Sequence, residues 1–319
     1  MLTYITRRIL FSLPVLLVAS FVAFFAIRQA FDPTTKFRQL RDPTAVKRAI
    51  KEFGLDKPMP VQWWKWLTRA VRGDLGISTR TSGDVRPDVV RALGNTVQLI
   101  GWGLLLALVV AIGIGVYSAT RQYSLGDYAF TGLSYIGVAM PPFWFGLILI
   151  QVFGVYAKEH WGFQLFFVGL HSTGKSGINM DYIKHLILPV CTLAVQLVAE
   201  WSRFQRAALL DVLSSDYVRT AKAKGLTRHQ VIWKHGFRNA LTPLVTDVAT
   251  QAGTLFGGLV ITESIFSISG MGRYTLLSIE TGDVYGVMAA MTIAGLFVIL
   301  FNLLADLLYG VLDPRVRLA

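Results

Sequence analysis

Apolar runs dominate this chain and are separated by shorter, mostly basic stretches. Six runs stand out, at residues 9–27, 95–120, 128–157, 186–206, 241–262 and 284–309. The second, third and sixth each hold more than 20 residues without a charge, where a helix needs roughly 20 to cross a bilayer. Glu200 interrupts the fourth and Asp247 the fifth, so those two rest on the whole pattern. The pattern predicts an all-α, polytopic membrane protein with six transmembrane helices. Arg7 and Arg8 before the first run resemble a secretion signal, but no small-residue cleavage site follows. The run is therefore read as a retained first span.

Between the runs, local signals are strongest around residues 207–240. Apolar residues recur at helical spacing at Leu209, Val212, Leu213, Tyr217, Val218 and Ala221, which predicts one helix up to Gly225. Gly225 tolerates the left-handed backbone that ends helices. Thr227 and Gln230 then have the spacing of a capping box, and Leu226 and Val231 that of a hydrophobic staple. Trp233 and Phe237, four apart, should share a face of the short helix that follows. The loop at 29–94 predicts a small, partly helical subdomain. Its first amphipathic piece carries Val46, Ile50 and Phe53, and Pro58 and Pro60 break it. A second piece carries Trp63, Trp66, Leu67, Ala70 and Val71, with the tryptophans expected at the membrane interface.

Composition agrees with a membrane protein. Of 319 residues 53% are hydrophobic and only 16% charged, and the mean hydropathy is +0.51. The formal net charge of +12 then reads as basic cytoplasmic loops rather than nucleic-acid binding. Arg7 and Arg8, Arg121, the basic segment 203–238, and Arg315 and Arg317 all fall on one side of a six-span chain. The rule that keeps basic loops inside puts that side, with both termini, in the cytoplasm. Residues 263–283, with three acids and one base, fall opposite. The basic loop 29–94 would face outward too, at a length where the rule weakens. The single cysteine, Cys191, excludes an intrachain disulfide and reads as core packing.

The helix, turn and capped helix at 207–240 would suit a helix-turn-helix DNA reader. A segment pinned at both ends by membrane spans cannot approach a major groove, so no nucleic-acid partner is expected. Attraction to anionic headgroups explains its charge but not its cap and staple. A firmly capped helix is better suited to a groove in a partner protein.

The stretch VRTAKAKGLTRHQVIWKHGFRNALTP resembles the cytoplasmic EAA loop of ABC importer permeases, in the form found in the dipeptide/oligopeptide (and nickel) importer family. Ala221 and Gly225 match that motif, while Arg219 and Thr220 stand where Glu and Ala are usual. Also similar are FGLDKPMPVQWWKWL and GDLGIS in the loop, NTVQL, MPPFWFGLILI, ITESIFSISGMGR and LADLLYGVLDPRVR, in the family's order. The resemblance implies a type I ABC importer permease that imports peptides. Its implied partners are a second homologous permease, two cytoplasmic ATPases and an extracytoplasmic solute-binding protein, in a bacterial cytoplasmic membrane. ATP and Mg would be held by the ATPases and no cofactor by this chain. The coupling residues implied are Ala221, Gly225, Leu226, Thr227, Gln230, Val231, Trp233 and Phe237. The implied layout is a first helix at 1–28, an external loop at 29–93, a permease core at 94–312 and a tail at 313–319.

In the fifth run, Thr242, Thr246, Asp247, Thr250, Gln251 and Thr254 form one polar stripe. Polar groups facing lipid are costly. The stripe therefore reads either as a wall of the translocation path, through Thr246, Asp247, Thr250, Gln251 and Thr254, or as interhelical hydrogen bonding. Gln196, Glu200 and Arg203 have the spacing to pair with one another. Glu200 as a proton relay would instead make this a proton-coupled secondary transporter. Pro141 and Pro142 break the third run, and Gly253, Gly257 and Gly258 read as close helix packing. No ATP site is expected on this chain, and the five histidines show no metal-ligand spacing. The chain is not expected to be an enzyme.

Overall fold

The computed structural model describes residues 2–31, 44, 50–51, 56–165 and 167–312. Val46, Phe53 and the tail at 313–319 lie outside the described residues. The described residues are helical throughout, apart from turns and one isolated bridge between Ile77 and Asp84. Four helices are long and apolar enough to cross a membrane: Leu10–Ala30, Val85–Thr120, Met180–Ser214 and Val284–Leu308. A fifth crossing arises if Leu125–Ala139 and Pro142–Trp161, bent by 106°, count as one span.

The helix Arg238–Gly258 occupies the place of the expected fifth run but is not among these. Its polar stripe lowers its hydropathy, so length and apolarity alone do not yield six spans. The break in the third run follows from Pro141 and Pro142. Neither ring leaves an N–H for the helix ladder, so one helix ends at Ala139 and another starts on Pro142. Residues 150–156 then continue as a π-helical turn.

The chain divides into two compact units. The first comprises the described residues of Met1–Thr96, together with Phe256–Ser264 and Ser269–Leu300. Its core gathers Phe24, Trp66, Val85, Val89, Met271, Tyr285 and Met288. The amphipathic helix Met59–Ala70 starts on the expected Pro58 and Pro60. Its three tryptophans differ in burial. Trp66 is buried in the core and donates to the Leu75 carbonyl, while Trp63 donates to Ser20 Oγ on the first helix. Trp64 alone of the three is exposed.

The centre of this unit is a buried carboxylate. Glu263 accepts a hydrogen bond from Thr96 Oγ1 at 2.6 Å and another from the Arg273 N–H at 2.9 Å. Thr96 Oγ1 in turn accepts from the Met271 N–H at 2.7 Å. The helix Met271–Glu280 has no side-chain cap from its own N-cap residue, Gly270. Its orphan first-turn donors are met by Thr96 and Glu263, from elsewhere in the chain. Gly270 is required here, because a methyl group on it would collide with the Glu263 carboxylate. Burial pushes the Glu263 carboxyl above its ordinary range, and the bonds from Thr96 and the backbone only partly offset that.

The second unit comprises Val97–Leu255, Ile265–Ile268 and the described residues from Phe301 onward. Here Leu125–Ala139 packs on Met180–Ser214. Arg206 grips Asp127 with two bonds of 2.9 Å, Ser134 meets Ser202 at 3.2 Å, and Gly137 lets Ala199 approach closely. The spacing of Gln196, Glu200 and Arg203 predicts mutual pairing, but the neighbouring helix competes successfully. Gln196 donates to the Met140 carbonyl, left free at the Pro141 break, and Arg203 lies over the Tyr135 ring at 5.0 Å. The Glu200 side chain is exposed.

Candidate functional site

The candidate site is the turn between Met180–Ser214 and Arg238–Gly258, within the second unit. The predicted single helix up to Gly225 is two helices. Ser215 adopts an extended backbone, and a separate helix, Asp216–Ala223, begins after it. A serine that bonds its own backbone competes with helix continuation, and Ser215 Oγ donates to the Val212 carbonyl. The short helix buries Val218 and Ala221 and exposes Lys222.

It ends as Gly225 requires. Gly225 has φ +81°, its N–H bonds the Lys222 carbonyl, and the Leu226 N–H reaches the Ala221 carbonyl. This pair of bonds is the Schellman termination, which uses up carbonyls left over at the helix end. Thr227 then caps the next helix. Its Oγ1 accepts from the Gln230 N–H, and the Gln230 side chain accepts from the Thr227 N–H, so both halves of the capping box are present.

The helix after this cap differs from the short, separate one expected. Residues Val231–Phe237 are π-helical and run without a break into Arg238–Gly258. The capped turn is thus the leading end of a long helix, so a push on it acts on the whole rod. The wide turn lets Gly236 lie against Leu209 and Leu213, and Val231 is buried. Trp233 and Phe237 meet edge to face at 5.0 Å, as their spacing predicts.

Of the eight coupling candidates, Ala221 and Val231 are buried, and Leu226 and Phe237 are half-buried. Gly225, Thr227, Gln230 and Trp233 are exposed. The set therefore sorts into a buried footing and an exposed face, rimmed by exposed Lys222, Lys224, Arg228 and Lys234.

Two anchors of this knob have no local sequence signal. Arg228 reaches the Thr120 carbonyl at the end of Val85–Thr120, and Asn239 donates to the Tyr217 hydroxyl. Arg228 satisfies a terminal carbonyl in the way basic side chains often do at helix C-termini. Nothing in sequence says which helix end it will find.

The polar stripe of Arg238–Gly258 is bonded chiefly along its own helix. Thr246 donates to Thr242 O, Thr250 to Thr246 O, and Thr254 to Gln251 O. Asp247 accepts from Gln251 and, across to Met180–Ser214, from the buried Trp201 indole at 2.9 Å. Thr250 and Thr254 remain exposed, Thr246, Asp247 and Gln251 half-buried. Gly257 faces open space rather than a packed helix.

Comparison with known proteins gives one consistent result. The family model described as "Binding-protein-dependent transport system inner membrane component" matches residues 111–318, and its N-terminal companion matches residues 1–84. The oligopeptide transport system permease protein AppB of Bacillus subtilis (strain 168) is 40% identical over 321 residues, covering 99% of this chain and 100% of that protein. The oligopeptide transport system permease protein OppB of Mycobacterium tuberculosis (strain ATCC 25618 / H37Rv) is 39% identical over 329 residues, covering 100% of both. The dipeptide transport system permease protein DppB of Escherichia coli (strain K12) is 34% identical over 342 residues, covering 99% of each. This chain belongs to the family of binding-protein-dependent transport system inner membrane components, as a multi-pass membrane permease.

Proposed function

We propose that this chain is the permease subunit of an ATP-driven peptide importer, forming half of a translocation pathway with a second, homologous permease. Its relatives named as oligopeptide and dipeptide permeases, matched over their full length, support the cargo class. ATP and Mg would sit on two cytoplasmic ATPase partners, and a solute-binding protein would deliver peptide from outside. Both termini and the 215–237 turn then face the cytoplasm of a bacterial cell, as the charge pattern favours.

The observation that carries the coupling role is the build of the turn. Its exposed face, with Thr227, Gln230 and Trp233, stands on buried Ala221 and Val231 and leads straight into Arg238–Gly258. A groove on an ATPase that moved this knob would move a helix carrying Asp247, Thr250, Gln251 and Thr254. Through the Trp201–Asp247 bond, the motion would reach Met180–Ser214 as well. Rocking of these helices would alternate access to a path lined by the stripe.

The test is Trp233→Ala in the complete importer in proteoliposomes, reading ATP hydrolysis and labelled-peptide uptake together. Uptake should fall about tenfold or more while the ATPases still hydrolyse ATP. Unchanged uptake per ATP would overturn the coupling role of this turn.

A further inference from the structure

We propose that Arg80, Arg91 and Arg273 form a binding site for the phosphate of an anionic phospholipid headgroup. The three arginines line one recess of about 220 Å³ in the first unit, together with Thr81, Asp88 and Tyr274. Asp88 is the one carboxylate in that lining, and its contact with Arg80 is long, at 3.8 Å. Arg80 also lies over the Tyr274 ring at 5.4 Å, which fixes the planar group in place. Glu263 lies near Arg273 but is committed to Thr96 and the Arg273 backbone N–H. The recess therefore carries an excess of fixed positive charge.

Its position in the chain sets its depth. Arg91 is the last charged residue before the uncharged stretch 92–120 of a helix long enough to span a bilayer. A basic side chain at that boundary holds its head at the level of lipid phosphates while its stem lies along apolar surface. Arg273 and Tyr274 belong to the helix Met271–Glu280, shortly before another span begins at Val284. Val90, next to Arg91, is apolar and 58% exposed, so acyl chain has surface to lie on.

The chemistry selects the ligand. Guanidinium groups match phosphate oxygens two at a time. The volume is below the roughly 300–1,000 Å³ of ordinary small-molecule pockets, which suits a headgroup whose tails stay outside. A zwitterionic lipid brings its own cation into a recess already positive, so an anionic lipid is favoured.

The experiment uses the full chain purified in detergent, titrated with phosphatidylglycerol or phosphatidylcholine and read by native mass spectrometry. One tightly retained phosphatidylglycerol per chain is expected, with weaker retention of phosphatidylcholine. Each arginine removed should weaken retention about fivefold, so Arg91→Gln with Arg273→Gln should cost roughly 25-fold. Arg91→Lys, which keeps the charge, should recover part of it. An unchanged melting temperature shows that the fold is intact. Equal retention by wild type and the double variant would overturn the proposal. So would a recess that binds inorganic phosphate while phosphatidylglycerol retention ignores the arginines. In the complete importer carrying the double variant, loss of ATPase stimulation by the solute-binding protein with lipid retention unchanged would overturn it too, in favour of an acidic protein contact.

Discussion

Two helix starts in this molecule solve the same problem in opposite ways. The helix after Thr227 is capped by its own neighbours, with Thr227 and Gln230 three residues apart. The helix Met271–Glu280 is capped by Thr96 and Glu263, one of them more than 170 residues away. The first cap is exposed, and water can replace each bond it makes. The second is buried, so each of its bonds excludes water and a missing partner leaves a donor stranded. Local capping makes a module that can move as a piece and stay folded. Remote capping bolts elements together and gives up that freedom. The coupling role proposed for the Thr227 turn needs the first kind.

This contrast predicts unequal costs. Glu263→Ala should be the most damaging of the changes below, because it strands the Thr96 hydroxyl and the first-turn N–H groups. A loss of about 3 kcal/mol is expected from several unsatisfied buried donors, seen as a lower melting temperature in detergent. Gly270→Ala should act in the same direction by collision with the carboxylate. Next comes Val231→Ala, which empties the buried footing of the knob. It should cost about 2 kcal/mol and reduce coupled uptake as well, where Trp233→Ala reduces uptake with little loss of stability.

Thr227→Ala removes an exposed cap and should cost about 1 kcal/mol. Faster amide exchange confined to residues 228–231 would report it, and Thr227→Ser should restore the cap. If this change destabilised the protein as much as Glu263→Ala does, the distinction between local and remote capping would fail.

The smallest effect is on pH dependence. The folded carboxyl of Glu263 titrates above its unfolded value of about 4.3. The stability tied to the raised value is therefore complete below that unfolded value and is lost as pH rises through the folded one. Wild type should lose part of its stability over that interval, and Glu263→Gln should flatten the loss. An identical pH profile for the two proteins would remove Glu263 as its source.

Much of the second unit could be read along the chain. Gly225, Thr227, Gln230 and the Trp233–Phe237 pair all act within a few residues of one another, and each does what its spacing implies. The break at Ser215 and the π-helical turn at 231–237 could not be read so. Ser215 is extended because its hydroxyl found the Val212 carbonyl, and the wide turn accommodates Gly236 against Leu209 and Leu213. Likewise Gln196, Glu200 and Arg203 had the spacing of partners. The Met140 carbonyl and the Tyr135 ring, held a few ångströms away by another helix, took two of them instead.

From composition and periodicity alone follow the membrane setting, the helical class, the apolar segments and the self-capped turn. Each depends on free energies summed over neighbouring residues or on bonds within one helical turn. Family membership comes from comparison, and it agrees with the order of the motifs. The 106° bend at Pro141–Pro142, the grip of Arg206 on Asp127, the Glu263 bolt and the arginine recess belong to the tertiary structure. A proline shows that a helix must break but not where the second half goes. A lone buried acid shows that it needs partners but not which ones. Those choices are made when distant segments pack, because only packing removes the water that would otherwise supply every missing bond.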